Sequence, residues 1–425
     1  MQRKRTKTKI KIVWLAGFIW LGLVSFPSAG ELDQLVNQAL QANPDLKSAE
    51  ARYKSYLARV PQAGALPDPM FMFGYANVPR TSLALDKMEM SGIELGLSQE
   101  IPFLKLGLLK KSARQMAETQ KQSYAALKNY LVSQVKQNYY DLWLWQKSIE
   151  IAEQNKSFLE NLAEIASVKY SVGEGVQQDV LKAQVEVSML LDKLLMLEEQ
   201  KKTTQAKLNI LLNRLPQDSI QVTEEPSYLD FNKNESELQQ LALESNPELA
   251  GMQAMVKASQ TEHQLAKREY LPDLDLGATY MIRKNRAVDM LRGEDLLSFR
   301  ATINLPLYFW SRQSKKVSET KWQWESSQSQ LQQVSNQVKY AVSQMFYELQ
   351  KSKKQIELYQ TVLLPQARQS LESARSAYQV NKVDFLTLLD NQVTVLNYEI
   401  GSHQALTEYL KAIAQLEEMV GKPLQ

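Results

Sequence analysis

Side chains suited to bond-making chemistry are few in this sequence. There is no cysteine, and the two histidines, His263 and His403, stand far apart with no metal-ligand spacing around either. Lack of cysteine excludes disulfides, thiolate metal centres, a cysteine nucleophile and a lipid anchor built on a cysteine. The histidine spacing argues against a metal or acid–base pair. No glycine-rich phosphate loop, nucleophile elbow or paired-acid motif is present. Four methionines, Met70, Met72, Met88 and Met90, invite a soft-cation reading because thioethers suit Cu(I); strand packing and loop placement explain them more simply. Trp143, Trp145, Trp322 and Trp324 read as helix contacts. The sequence therefore points to a protein that is not an enzyme and takes no cofactor, with any work driven by a partner.

Charge and the N-terminal segment set the compartment. Arg3, Lys4, Arg5, Lys7, Lys9 and Lys11 precede an apolar run over 12–26, too short to span a bilayer as a helix, and the small-residue stretch Pro27-Ser28-Ala29-Gly30 follows it. This pattern is that of a secretory signal peptide over 1–30, with Glu31 opening the mature chain. Removing its six basic residues from totals of 50 basic and 47 acidic leaves 44 against 47. A nearly neutral mature chain offers no basic footprint for nucleic acid.

Internal repetition sets the organisation. Ala42-Asn43-Pro44-Asp45-Leu46 matches Ser245-Asn246-Pro247-Glu248-Leu249, Leu66-Pro67-Asp68 matches Leu271-Pro272-Asp273, and Ile101-Pro102 matches Leu305-Pro306. Later, Tyr170-Ser171-Val172-Gly173 matches Tyr378-Gln379-Val380-Asn381, and Gln184-Val185 matches Gln392-Val393. Two copies over 31–214 and 237–425 are thus expected, joined by a polar, proline-bearing strap over 215–236.

Each copy begins with a helical segment of about 30 residues, continues as two alternating segments around a loop, and closes with two helical runs. Ile93, Leu95 and Leu97 oppose Glu94, Gly96 and Ser98. Leu274, Leu276, Ala278 and Tyr280 oppose Asp273, Asp275, Gly277 and Thr279, and Leu297, Phe299, Ala301, Ile303 and Leu305 oppose Ser298, Arg300, Thr302 and Asn304. The stretch 70–76 groups Phe71, Phe73 and Tyr75 less cleanly. Such strands also suit a soluble half-buried sheet. Their length of about 10 residues and the aromatics Phe103, Tyr308, Phe309 and Trp310 at their exits favour a membrane barrel. Four strands cannot close a polar-lined barrel, whereas three chains supply twelve. Proline-free residues 104–172 give a helix on the order of 100 Å. In its counterpart the apolar series Leu331, Val334, Val338, Ala341, Met345 and Leu349 breaks at Ser352 and resumes at Ile356, with Pro365 expected to kink or break the helix. Shorter runs over 176–213 and 384–420 fold back as hairpins, with turns at 173–175 and 381–382. The fold class is α+β: four strands per chain given to a trimeric, twelve-stranded outer-membrane barrel, plus long coiled-coil-like helices.

The chain resembles the TolC-type outer-membrane factors, especially those serving heavy-metal RND efflux pumps. The likeness is carried by Tyr-Ser-Val-Gly-Glu-Gly-Val-Gln-Gln-Asp-Val-Leu-Lys-Ala-Gln over 170–184, by Leu-Pro-Gln-Ala-Arg from Leu364, by Val-Asp-Phe-Leu-Thr-Leu-Leu-Asp-Asn-Gln over 383–392, and by Leu-Pro-Leu-Tyr-Phe-Trp over 305–310. It covers essentially the whole mature chain.

That resemblance implies a homotrimer in outer-membrane lipid with a tapered helical tunnel in the periplasm, joined at the hairpin tips to a periplasmic adaptor and through it to an inner-membrane RND or ABC transporter. The tips would be Val172, Gly173 and Glu174 in one hairpin and Val380, Asn381 and Lys382 in the other, where asparagine replaces the family's glycine. The family's aspartate ring falls on Asp390. Thr387 stands where a second aspartate often does, and Asp179 is a weaker acidic candidate. Three carboxylates around an axis would attract cations; an aspartate on a solvated helix face is the alternative. The function implied is a passive exit duct for metal cations or small molecules. A type I protein-secretion duct and a non-conducting coiled-coil envelope scaffold are the competing readings.

Overall fold

The computed structural model describes residues 30–88, 90–284, 293–380 and 382–424. Positions 1–29 of the expected signal peptide, Asn381, and 285–292 of the second strand loop lie outside the described residues, as does the side chain of Phe103.

The expected single helical segment at the head of each copy is two helices. In the first copy these are α1 (Glu31–Ala42) and α2 (Pro44–Ala63), followed by β1 (Met70–Ala76), β2 (Gly92–Ile101), α3 (Phe103–Ser171) and α4 (Gln177–Leu211). The second copy runs α5 (Glu235–Ser245), α6 (Pro247–Arg268), β3 (Leu274–Arg283), β4 (Leu296–Ile303), α7 (Gln313–Leu358), a π-helical turn (Tyr359–Leu363), α8 (Leu364–Gln379) and α9 (Phe385–Val420). The break has the same cause in both. Pro44 and Pro247 lack an N–H and fit only the first helical turn, so each starts a new helix. The preceding asparagine caps it: Asn43 Oδ1 accepts from Leu46 N at 3.1 Å and Asn246 Oδ1 from Leu249 N at 2.9 Å. Each asparagine then donates its Nδ2 to the end of the last helix of its own copy, at Leu211 O (3.1 Å) and Met419 O (2.8 Å). One residue type thus closes both copies.

Two cores follow from this closure. The first gathers Leu35, Ala39, Leu46, Val135, Leu142, Leu208 and Leu212, and the second Leu238, Ala242, Val338, Val342, Leu349, Leu416 and Val420. The segment 215–234 straps across them without regular structure. Ile220 and Phe231 are buried in the two cores, Tyr409 donates to Leu229 O at 2.6 Å, and Tyr228 stacks on Tyr409. A third core lies toward the hairpin turns, where Leu159, Leu162, Leu190 and Leu197 meet Phe385, Leu388, Leu389 and Leu396.

Several polar side chains are enclosed in these cores. Ser352, the polar break in the apolar series, is fully buried on the seam. His263 is buried against Thr320 and Trp324, and His403 lies edge-on to Trp143, so both serve packing. Burial lowers the affinity of both imidazoles for a proton. Trp322 departs from the helix-contact expectation: it is exposed, with Lys321 Nζ 5.4 Å from its ring centre. Among the described residues, no helix is long and apolar enough to cross a membrane.

Candidate functional site

The four strands form one antiparallel sheet in the order β1-β2-β3-β4. Its register aligns Phe71 with Leu97, Ala278 and Phe299, and Phe73 with Leu95, Tyr280 and Leu297. Directly opposed residues share a face. One face is therefore apolar from edge to edge, and Phe71 and Phe299 on it are 69% and 80% exposed. A patch of this continuity marks contact with another apolar phase. The opposite face carries Ser98, Gly277 and Arg300 on one rung, and Gly96, Thr279 and Ser298 on the next. Within the chain β1 and β4 each have one neighbour, leaving an unpaired edge on each side. Below the sheet, Lys105 on α3 pairs with Asp273 at 2.5 Å, which ties the strand base to the long helix. Tyr308, Phe309 and Trp310 cluster edge to face in the turn after β4 and stay exposed.

At the far end of the helices lie the two hairpin turns. Gly173 has φ +80°, and Glu174 N reaches back to Lys169 O at 2.9 Å, closing the first turn in a left-handed cap that glycine adopts most easily. Val172, Gly173 and Glu174 are all exposed. In the second turn Lys382 N reaches Ala377 O at 2.9 Å, and Val380 and Lys382 are exposed. Between the turns is a cleft of about 320 Å³ lined by Lys169, Glu174, Asp179, Tyr378, Lys382 and Asp384, among others. Lys169 Nζ sits 4.3 Å from the centre of the Tyr378 ring and bridges the two hairpins.

The three acidic-gate candidates occupy different places. Asp179, in the first turn of α4, is half-buried at the cleft; burial pushes its carboxyl up, Asp384 pushes it further, and Lys169 opposes both. Thr387 and Asp390 lie exposed one turn apart on α9. The negative charge of Asp390 reaches Lys182 of α4, whose ammonium is held above its usual range chiefly by its bond to Glu186 and in smaller part by Asp390. Asp179 thus faces the like charge of Asp384, whereas Asp390 lies within electrostatic reach of Lys182. Sequence reasoning missed Asp384. It is the N-cap of α9, accepting from Thr387 N at 2.9 Å, and the Thr387 hydroxyl first and its N–H second hold the carboxyl low. An aspartate immediately before an apolar helix is a recognisable cap, so the signal was present.

Comparison with known proteins decides the family. The model of the outer membrane efflux protein family matches residues 35–214 and again 238–422. The chain belongs to the outer membrane efflux protein family. Two relatives are the pyoverdine export outer membrane protein OpmQ of Pseudomonas aeruginosa, 24% identical over 92% of this chain and 85% of the relative, and the outer membrane protein TolC of Vibrio cholerae, 21% identical over 92% and 91%. Among solved structures, VceC from Vibrio cholerae superposes with a TM-score of 0.77 at 17% identity, covering 93% of this chain and 97% of that one. This outer membrane efflux protein is a transport duct of the outer membrane and not an enzyme. Its α+β fold class is the one expected from the sequence.

Proposed function

We propose that this efflux protein is the exit duct of a tripartite pump, a homotrimer whose three sheets close into one twelve-stranded barrel. The observation that carries the reading is the pairing of one continuous apolar face with two unpaired sheet edges. An unpaired edge in a hydrocarbon phase leaves backbone groups without partners, so β1 of one subunit must meet β4 of the next until the ring closes. The apolar face then meets lipid and the polar face lines an aqueous pore. Energy comes from an inner-membrane RND or ABC transporter, transmitted through a periplasmic adaptor that meets Val172, Gly173, Glu174, Val380, Asn381 and Lys382. The mature chain begins near Glu31 and is built as two copies, 31–214 and 237–425, joined by the strap 215–236. The cargo class is metal cations or small molecules; pyoverdine is the cargo named for OpmQ.

The gate is assigned to Asp390, with Thr387 one turn before it and Asp179 contributing charge from the neighbouring tip. Three Asp390 carboxylates near a common axis would draw cations in and hold anions back. Single-channel recording of the purified protein in planar bilayers, under a cation-to-anion gradient, tests both parts. Wild type is expected to be cation-selective, and Asp390→Ala to lose selectivity while still inserting. Unchanged selectivity removes Asp390 from the gate; failure to insert moves the weight to a non-conducting envelope scaffold.

A further inference from the structure

Glu31, which opens α1, is bound to the strap in both directions. Its Oε2 accepts from Thr223 N at 3.0 Å, from the Thr223 hydroxyl at 3.3 Å, from Glu224 N at 3.4 Å and from the Tyr139 hydroxyl of α3 at 3.4 Å. In return Glu31 N donates to Glu224 Oε2 at 3.2 Å. Tyr139 is 3% exposed; burial first, then the charges of Glu31 and Glu224, hold its phenol protonated. The strap is fixed to α3 at the same point, where Val222 N donates to Gln146 Oε1 at 3.3 Å.

A helix start is ordinarily satisfied by a nearby hydroxyl or amide side chain. Here Gly30 offers no side chain, and the N–H of Glu31 is met by a carboxylate 193 positions away. A neutral amide does not require a charged acceptor. An ammonium at that place does, because the helix dipole disfavours a cation at its N-terminal end unless an anion stands beside it. Processing would supply the ammonium. Ser28 and Gly30 are small residues at the third and first positions before Glu31, the spacing a signal peptidase accepts. Water added across the Gly30–Glu31 peptide bond leaves the new carboxylate on Gly30 and the α-amine on Glu31, where it is protonated at neutral pH. Asp33 in the same first turn adds negative charge. The cut also removes Gly30 O, which accepts from Gln34 N at 3.1 Å, so the helix start gives up a backbone bond.

We propose that the Gly30–Glu31 bond is the processing site and that the α-ammonium it frees is locked by Glu224, so that signal removal latches the strap onto the first copy. The proposal rests on the reading that the mature chain begins near Glu31. Before the cut Glu224 accepts from a neutral peptide N–H. Afterwards it accepts from an ammonium, and a charge-assisted bond is about twice as strong. The strap sends Ile220 into one core and Phe231 into the other, so a latch at Thr223 and Glu224 completes the joint between the copies only in chains that have been processed.

N-terminal sequencing of the protein purified from outer membranes is expected to return Glu31 first. Wild type is then compared with Glu224→Gln, which keeps an acceptor oxygen for an N–H and removes only the charge. Glu224 is exposed, so the change leaves the cores untouched. The rate at which acetic anhydride labels the α-amine, followed by mass spectrometry of the N-terminal peptide from about pH 6 to about pH 10, gives the midpoint of its titration. That midpoint is expected about half a pH unit higher in wild type, a roughly threefold gain in proton affinity of the size an exposed ion pair supplies. Amide hydrogen exchange over 221–225 should be faster in the variant. A chain beginning at another residue overturns the processing site together with the mature-start reading. A chain beginning at Glu31 with equal midpoints leaves that reading standing and overturns the ion pair, and equal exchange overturns the latch on the strap.

Discussion

The two long hairpins occupy corresponding places in the two matches to the family model and differ at one place. In the first, α3 runs 69 residues without interruption. In the second, the same course is divided into α7, a π-helical turn and α8. Spacing locates the change. Ser148 and Ser352 stand 204 positions apart and Tyr170 and Tyr378 stand 208 apart, so the stretch from Ser352 to Tyr378 is four residues longer than its counterpart. The π-helical turn at Tyr359–Leu363 lies in that interval, followed at once by Pro365. Four residues exceed one α-helical turn of 3.6 by about 0.4 residue, and a wider π-turn can take up that mismatch in packing register. The turn buries no side chain, and α9 answers it with Gly401, where a Cβ would lie 2.6 Å from the Tyr359 hydroxyl. In the first hairpin the same stretch is unbroken α-helix, and the buried Asn155 accepts a hydrogen bond from Gln392 of α9. One hairpin is a continuous rod and the other carries a built-in joint.

The largest effects should appear where the two copies agree. Asn43→Ala and Asn246→Ala each remove a helix cap and leave the carbonyl of Leu211 or Met419 without its amide donor. A lost cap costs about 1 kcal/mol and a buried orphaned carbonyl about 1–3, so each variant should lose roughly 2–4 kcal/mol in denaturant unfolding in detergent. Similar losses would support equivalent closure of the copies. A loss confined to one would break that symmetry.

The next effect belongs to the joint. Gly401→Ala forces the Tyr359 ring to move, an overpacking cost of about 1–3 kcal/mol. Gly173→Ala meets nothing within 4 Å, and its cost of about 1 kcal/mol comes from the positive φ alone. Pairing Gly401→Ala with Tyr359→Phe, which removes the crowded hydroxyl, should recover most of the loss. No recovery would mean that Gly401 is needed for some reason other than the phenol.

Most of this architecture was legible in the sequence because its signals are local and periodic. The alternation at Ile93, Leu95 and Leu97 marks β2, and the proline-free run after Leu104 marks α3. The repeat showed which elements correspond. What stayed hidden depends on packing across elements. The π-turn needs knowledge of what α9 presents at Gly401, and the Asp179–Asp384 encounter needs the two hairpin tips brought together. The face on which Met70 and Met72 lie was obscured because β1 has methionine at polar-face positions, so its alternation is weak until register with Ser98 and Gly96 fixes it.

A smaller effect tests shared packing. Ser148 and Ser352 are both fully buried, and neither hydroxyl has a hydrogen-bond partner. Alanine at either position removes a desolvated hydroxyl with little change of volume, so Ser148→Ala and Ser352→Ala should be neutral or stabilising by up to about 1 kcal/mol. A clear loss at Ser352 alone would show that its hydroxyl serves the joint.

The smallest effect concerns the tips, where the hairpins meet. Asp179 has its folded-state carboxyl pushed up, by burial first and Asp384 second. The folded protein therefore holds that proton more tightly than the unfolded chain, so this contribution to stability is full below the ordinary aspartate range and is lost as pH rises through the raised value. Asp384 runs the other way: its carboxyl is held down by Thr387, and its capping contribution disappears as pH falls. The two can be separated by comparing wild type with Asp179→Asn, because the Asp384 cap is present in both. At neutral pH the variant should be the more stable by a few tenths of a kcal/mol, the size left after solvent screening at a partly exposed site. That gap should close as pH falls below the ordinary aspartate range and Asp179 is protonated in both states. A gap unchanged between those limits would mean that the two tips do not feel each other's charge, and the Lys169–Tyr378 contact would then stand as their electrostatic link.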